Sequence, residues 1–142
     1  MHHKGCSVVR GLTHFLMALA YTVFAVAAET AAADPPPDGI WRVQGRAIHG
    51  TRCGDWLVTL TNRQGQLSGV VALARASVPI ENLVLQPDGS FSGATRAGLV
   101  GSRHARAYRV SGTFAGDTVN LTLKDDICPP RHGTAIRQAA GI

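Results

Sequence analysis

Three histidines, His49, His104 and His132, are the residues of the chain's C-terminal three-quarters best suited to acid–base or metal chemistry. Their separations of 55 and 28 residues match no zinc-ligand spacing. Ordinary surface or loop histidines are therefore expected, with no metal and no cofactor. Asp125-Asp126, close to Cys128, is an adjacent carboxylate pair. Neighbouring residues of a strand point to opposite faces, so shared catalysis by these two would need a bend; a solvated loop is the expectation. The motifs H-E-x-x-H and G-x-S-x-G and a phosphate-cradling glycine loop are absent, which removes the common hydrolase and nucleotide chemistries. No catalytic residue is assigned, and the chain is not expected to be an enzyme.

The strongest charge feature is the stretch Arg96, Arg103, His104, Arg106 and Arg109. It would suit an anionic partner such as lipid headgroups, acidic glycans or an acidic protein patch. The competing expectation is a solubilising outer face of strands. Nucleic acid is not expected, because stacking aromatics are lacking nearby apart from Tyr108.

The beginning of the chain sets the compartment. His2, His3, Lys4 and Arg10 give a basic start, Gly11 to Ala28 are mostly apolar, and small residues follow. This order is that of a secretory signal peptide over residues 1–33, with Ala25-Val26-Ala27 or Ala31-Ala32-Ala33 as the cleavage pattern. An uncleaved anchor is the alternative, since roughly 18 to 20 apolar residues span a bilayer. Cys6 precedes the apolar run, so lipidation at a cysteine is rejected. The product is expected to be periplasmic or secreted, and the Arg, Ala and Gly bias suggests a bacterial source. Of the 14 Lys and Arg and 9 Asp and Glu of the whole chain, Lys4, Arg10 and Glu29 lie in the leader, so the remainder carries a net charge of +4.

About 109 residues remain, enough for one domain over 39–142. Residues 34–38, Asp-Pro-Pro-Pro-Asp, read as a stiff extended spacer that sets the domain off from the cleavage site. Cys53 and Cys128 are the two cysteines outside the leader, and two cysteines in an exported domain are expected to pair. That bridge would contribute roughly 4 kcal/mol by chain entropy.

The elements that position these residues are strands. Trp41 and Val43 alternate with Arg42 and Gln44, and Trp56, Val58 and Leu60 with Thr59 and Thr61. Leu67, Val71 and Leu73 form the next inward set, followed by Leu83, Leu85 and Phe91. Tyr108, Val110 and Phe114 oppose Arg109, Ser111 and Thr113, while Val119, Leu121 and Leu123 oppose Thr118, Asn120 and Thr122. A last run, Thr134 to Arg137, is expected to turn Ile136 inward. Period-two alternation means one buried and one wet face. An internal repeat, Gly65-Gln66-Leu67-Ser68-Gly69 and Gly89-Ser90-Phe91-Ser92-Gly93, with a looser copy at Gly112 to Gly116, marks hairpins whose glycines sit where the sheet turns or crowds. The predicted fold is all-β: a small antiparallel up-and-down barrel of about eight short strands, or a compact sandwich, after an N-terminal signal helix. A membrane-spanning barrel is not expected, because the strands are short and their outward positions are Thr, Ser and Arg.

Gly39-Ile40-Trp41 opens the first strand. A G-x-W triplet at that place resembles the start of the calycin-type barrels, namely lipocalins, avidins and bacterial metalloproteinase inhibitors. In that superfamily a late Arg or Lys packs over the tryptophan, and Arg137 is the matching position. The resemblance covers these residues and the strand rhythm. It implies an eight-stranded barrel that binds something at its open end or by its loops. The expected function is an exported, soluble, monomeric, non-catalytic binding module that takes a small ligand or inhibits a protein, its partner being a small ligand or an envelope or extracellular protein. The alternatives are an envelope-associated structural protein that meets an anionic surface through the arginine stretch, and an enzyme of unfamiliar type.

Overall fold

Alternating apolar and polar residues give nine strands in the computed structural model, which describes residues 33–98 and 105–139. The expected signal peptide, residues 1–32 of it, falls outside the described residues. No helix occurs among the described residues, and none is long and apolar enough to cross a membrane. The described residues are all-β, built as two antiparallel sheets. One holds β1 (Gly39–Gly45), β2 (Trp56–Arg63), β3 (Gln66–Leu73) and β4 (Ala76–Pro79). The other holds β5 (Glu81–Leu85), β6 (Ser90–Ala97), β7 (Arg106–Ala115), β8 (Thr118–Asp125) and β9 (Arg131–Ile136). Each strand pairs with its neighbour in sequence, so the topology within each sheet is a meander.

Turn chemistry sets the registers. Gln64 and Gly65 both take positive φ (52° and 79°), the requirement of a type I′ two-residue hairpin, and they join Arg63 to Gln66 in direct register. Pro87-Asp88-Gly89 closes the β5–β6 hairpin: the Gly89 N–H donates to the Gln86 carbonyl at 3.0 Å, and Gly89 carries φ 85°. In the looser third copy of the repeat, Gly116 and Asp117 form the turn between Ala115 and Thr118, as expected.

Two links turn the paired sheets into one nearly continuous wall. The first is the corner between β4 and β5. The Ile80 N–H donates to the Gly69 carbonyl of one sheet at 2.8 Å, and the Thr95 hydroxyl of the other donates to the Pro79 carbonyl at 2.8 Å. The Ile80 side chain lies against both Gly69 and Gly93, where an added Cβ would come within 2.7 Å of it. These are the last glycines of the first two repeat copies, and crowding at a bend is the reason for them. Because β4 and β5 flank a single residue, nine strands do the work of the eight expected. The second link joins the first strand to the segment just after the last. Ile40 and Gln138 form an antiparallel bridge, and the Gln138 N–H donates to the Ile40 carbonyl at 2.7 Å.

Burial follows the expected alternation on β1, β2, β7 and β8, where Trp41, Val43, Val58, Leu60, Val110, Val119 and Leu123 are fully enclosed, and Val71 of β3 is enclosed with them. The last strand departs from it. It begins at Arg131 and not at Thr134, and Ile136 points outward, 72% exposed, while Ala135 packs on the core. The register against β8 explains this, because Val119 faces Ala135 and Leu121 faces Gly133. The proline segment packs on the domain: Pro36 is buried, and the buried Asn62 amide donates to the Pro36 and Pro37 carbonyls at 2.8 and 3.2 Å. The segment is a strap across the end of the meander that carries the β2–β3, β5–β6 and β7–β8 turns.

Candidate functional site

The opposite end gathers the β1–β2, β3–β4 and β8–β9 connections and the facing ends of β6 and β7. Cys53, before β2, and Cys128, before β9, form a disulfide there with a Cα–Cα distance of 5.8 Å. It ties together the two loops that flank the seam between β1 and β9, across a sequence separation of 75 residues.

Asp125 organises this end. Its parity on β8 is that of Val119, Leu121 and Leu123, so its side chain points inward and is fully buried. The expectation of a solvated Asp125-Asp126 loop is therefore wrong for Asp125, though Asp126 is exposed. One carboxylate oxygen accepts the N–H groups of Ile127 and Cys128, shaping the turn that presents the disulfide cysteine. The other accepts Arg131 Nη2 at 2.7 Å and lies 3.8 Å from Arg106 Nη1. The two carboxylates do not share a site; Asp125 is a buried anchor for guanidinium groups.

Arginines converge above it. Arg52, Arg75, Arg106 and Arg131 line a concavity of about 340 Å³ at the mouth between the sheets. Its apolar wall comes from Leu73, Ala76, Ala97 and Tyr108, and Asp55 is the one carboxylate lining it among the described residues. Asp55 Oδ1 accepts the Ala47 N–H at 2.6 Å, which folds the long β1–β2 loop back on itself. Arg131 is 8% exposed, and its Nε has no hydrogen-bond partner among the described residues.

The arginine stretch is thus divided. Arg96 and Arg109 stand on the outer face, where Arg109 is directly opposite Lys124. Arg106 has the parity of Tyr108 and Val110 and faces inward, with Nη1 3.9 Å from Cys128 Sγ. Arg103 and His104 lie outside the described residues. His49 is exposed in the β1–β2 loop, and His132 is exposed on β9, with Nδ1 2.9 Å from the Thr122 hydroxyl. His104, the third, is one of the two just placed outside. No cluster of metal-ligating side chains occurs among the described residues.

Gly39, Trp41 and Arg137 meet at the strapped end, far from the mouth. The Trp41 indole N–H donates to the Asp117 carbonyl at 2.9 Å, and Arg137 Nε donates to the Asp117 carboxylate at 2.8 Å. Arg137 Nη1 donates to the Asp38 carbonyl at 3.2 Å, and its stem lies 2.6 Å from where a Cβ on Gly39 would stand. These residues close the seam and take no part in the mouth.

Arg52, Arg75, Arg131 and Asp125 were not singled out from the sequence as one site. For Asp125 a signal was there: continuing the β8 alternation by one step places it inside. Arg131 could be found the same way only by extending β9 back to Pro130, and Arg52 and Arg75 sit in loops, where periodicity is silent. No family model, no curated protein and no solved structure matches the chain.

Proposed function

We propose that this chain is a non-catalytic binding module that takes a small ligand into the mouth beside the Cys53–Cys128 bridge. The observation that carries this reading is the concavity of about 340 Å³ with both an apolar wall and converging polar groups. Small-molecule sites have that composition and fall at the open ends of β-barrels. The calycin-like Gly39-Ile40-Trp41 opening and its packing by Arg137 support the same reading. The strap and the tight turns leave the disulfide end as the side of entry.

The basic, apolar leader and the disulfide support export to the periplasm or beyond, where disulfides persist. Native mass spectrometry of the protein from its own host tests both points. The expected result is a chain beginning after Ala27 or Ala33, two daltons lighter than its reduced form, with a small co-purifying mass. Filling the mouth by Ala76→Trp is expected to abolish that mass. An intact chain starting at Met1, or a bound mass indifferent to A76W, would overturn the respective part.

The outer-face cations favour a second reading, contact with an anionic surface. Arg109 faces Lys124 across β7–β8, and Arg96 lies on the same side of β6. Sedimentation with anionic vesicles that is lost as salt rises would support it, because exposed charges are screened.

A further inference from the structure

Resting on the mouth being a ligand site, we propose that its ligand is a small organic anion, with an oxyanion head held by Arg106 and Arg131 and a short apolar body against Leu73, Ala76, Ala97 and Tyr108. Charge comes first. Among the described residues, four guanidinium groups line the cavity, and the carboxylates within reach are Asp125 and Asp55. Asp125 is shared between Arg131 and the more distant Arg106, and Asp55 spends one oxygen on the Ala47 N–H. Arg52 and Arg75 form no ion pair among the described residues. A positive surplus in a half-enclosed cleft focuses potential on whatever enters it.

Hydrogen-bonding capacity points the same way. The Arg131 Nε–H is buried and unpartnered, although Nη2 of the same group is held by Asp125. A buried donor left unmatched is costly, and a native structure normally matches it. Arg131 lines the mouth, and an oxyanion arriving there supplies that acceptor once the atoms covering Nε shift aside. The guanidinium fork suits the paired oxygens of a carboxylate or a phosphate better than it suits any neutral group. Asp125 locks Arg131 in place beforehand, so little side-chain freedom is lost on binding. Size limits the rest: about 340 Å³ admits a single ring or a short chain, not a long lipid.

Isothermal titration of the oxidised, leader-free chain with benzoate, phenyl phosphate and benzamide tests this. At least one of the two anions is expected to bind, at least about tenfold more tightly than neutral benzamide, as charge-assisted hydrogen bonds require. Whichever anion binds more tightly identifies the head as carboxylate or phosphate. Arg106→Ala is expected to weaken that binding at least about tenfold, and Arg63→Ala, exposed at the strapped end, to leave it unchanged. Arg75→Ala, in an exposed turn, provides a second variant that does not touch the Asp125 pair, and it too is expected to weaken binding. Benzamide binding as well as the anions, an R63A effect equal to that of R106A, or no binding of either anion would overturn the proposal. If native mass spectrometry still showed a neutral molecule displaced by A76W, the mouth would remain a ligand site and only its anionic character would be lost.

Discussion

Asp125 illustrates how much a single inward-facing charge decides. Its carboxylate is buried, so the Arg131 and backbone N–H partners are what make that burial tolerable. Removing it leaves the buried Arg131 without its counter-charge. Asp125→Ala is therefore expected to cost about 3–5 kcal/mol, measured by urea denaturation with the disulfide intact. Asp126→Ala, one residue on and exposed, should change stability by about 0.5 kcal/mol or less. Asp88 shows the surface counterpart. The Ser90 hydroxyl and then the Ser90 N–H donate to its carboxylate and hold its pKa below the usual aspartate value. A group with a depressed folded-state pKa stabilises the fold fully above its unfolded value, and that support is lost as pH falls through the folded one. An NMR titration should find Asp88 still charged where exposed aspartates are half protonated, and Ser90→Ala should move it back up. The Ser90 pairing follows from a turn that the Pro-Asp-Gly triplet announces; the Arg131 pairing required a strand partner to be known.

At the scale of the element, the seam between β1 and β9 is where the wall is weakest in hydrogen bonds. One bridge, Ile40 to Gln138, holds the strapped end, with Arg42 Nη1 donating to Gln138 Oε1 at 3.0 Å beside it. The seam is filled instead by side chains, and Gly133 makes room for them. A Cβ there would stand 2.5 Å from Val43 Cγ1 and 3.2 Å from the Trp56 ring. Val43 is β-branched, fully buried and unable to swing away. Gly133→Ala is expected to destabilise by about 1–3 kcal/mol. Gly54→Ala, where an added Cβ meets nothing within 4 Å, should be neutral or slightly stabilising. Paired thermal melts of the two variants decide the matter. The strand alternation was legible almost throughout, since Trp41/Val43, Trp56/Val58/Leu60 and Val119/Leu121/Leu123 all fall inside. The last strand was not. Gly133 contributes no apolar signal and Ala135 little, so the larger Ile136 drew the inward assignment although it stands in solvent.

For the whole molecule, closure is secured at both ends by different means. The strap and Arg137 network hold one end, and the Cys53–Cys128 bridge holds the other, next to the mouth. Replacing both cysteines by alanine is expected to lower stability by roughly 4 kcal/mol. For a domain of this size that is a large share of the total. The strapped end should stay protected longer than the mouth in the reduced protein, and hydrogen exchange resolves the order: the Ile127 and Cys128 amides should exchange before those of Trp41 and Leu60. Simultaneous loss of protection everywhere would show that the bridge holds the entire closure.

The amino-acid sequence alone determined the all-β class, most inward faces, the principal turns and the cysteine pair. The faces and turns depend on relations within a few residues, namely side-chain alternation and backbone φ preferences, and the bridge on there being two cysteines outside the leader to pair, whatever their 75-residue separation; such signals survive without a partner strand in view. Only the tertiary structure decided that Arg106 leaves its exposed neighbours, that Asp125 is an anchor, and that Arg52, Arg75 and Arg131 join them at one mouth. Those five groups belong to strands and loops brought side by side when the meander bends at Ile80 and its ends meet at Gln138. No spacing along the chain encodes that convergence, because it is a property of the closed sheet.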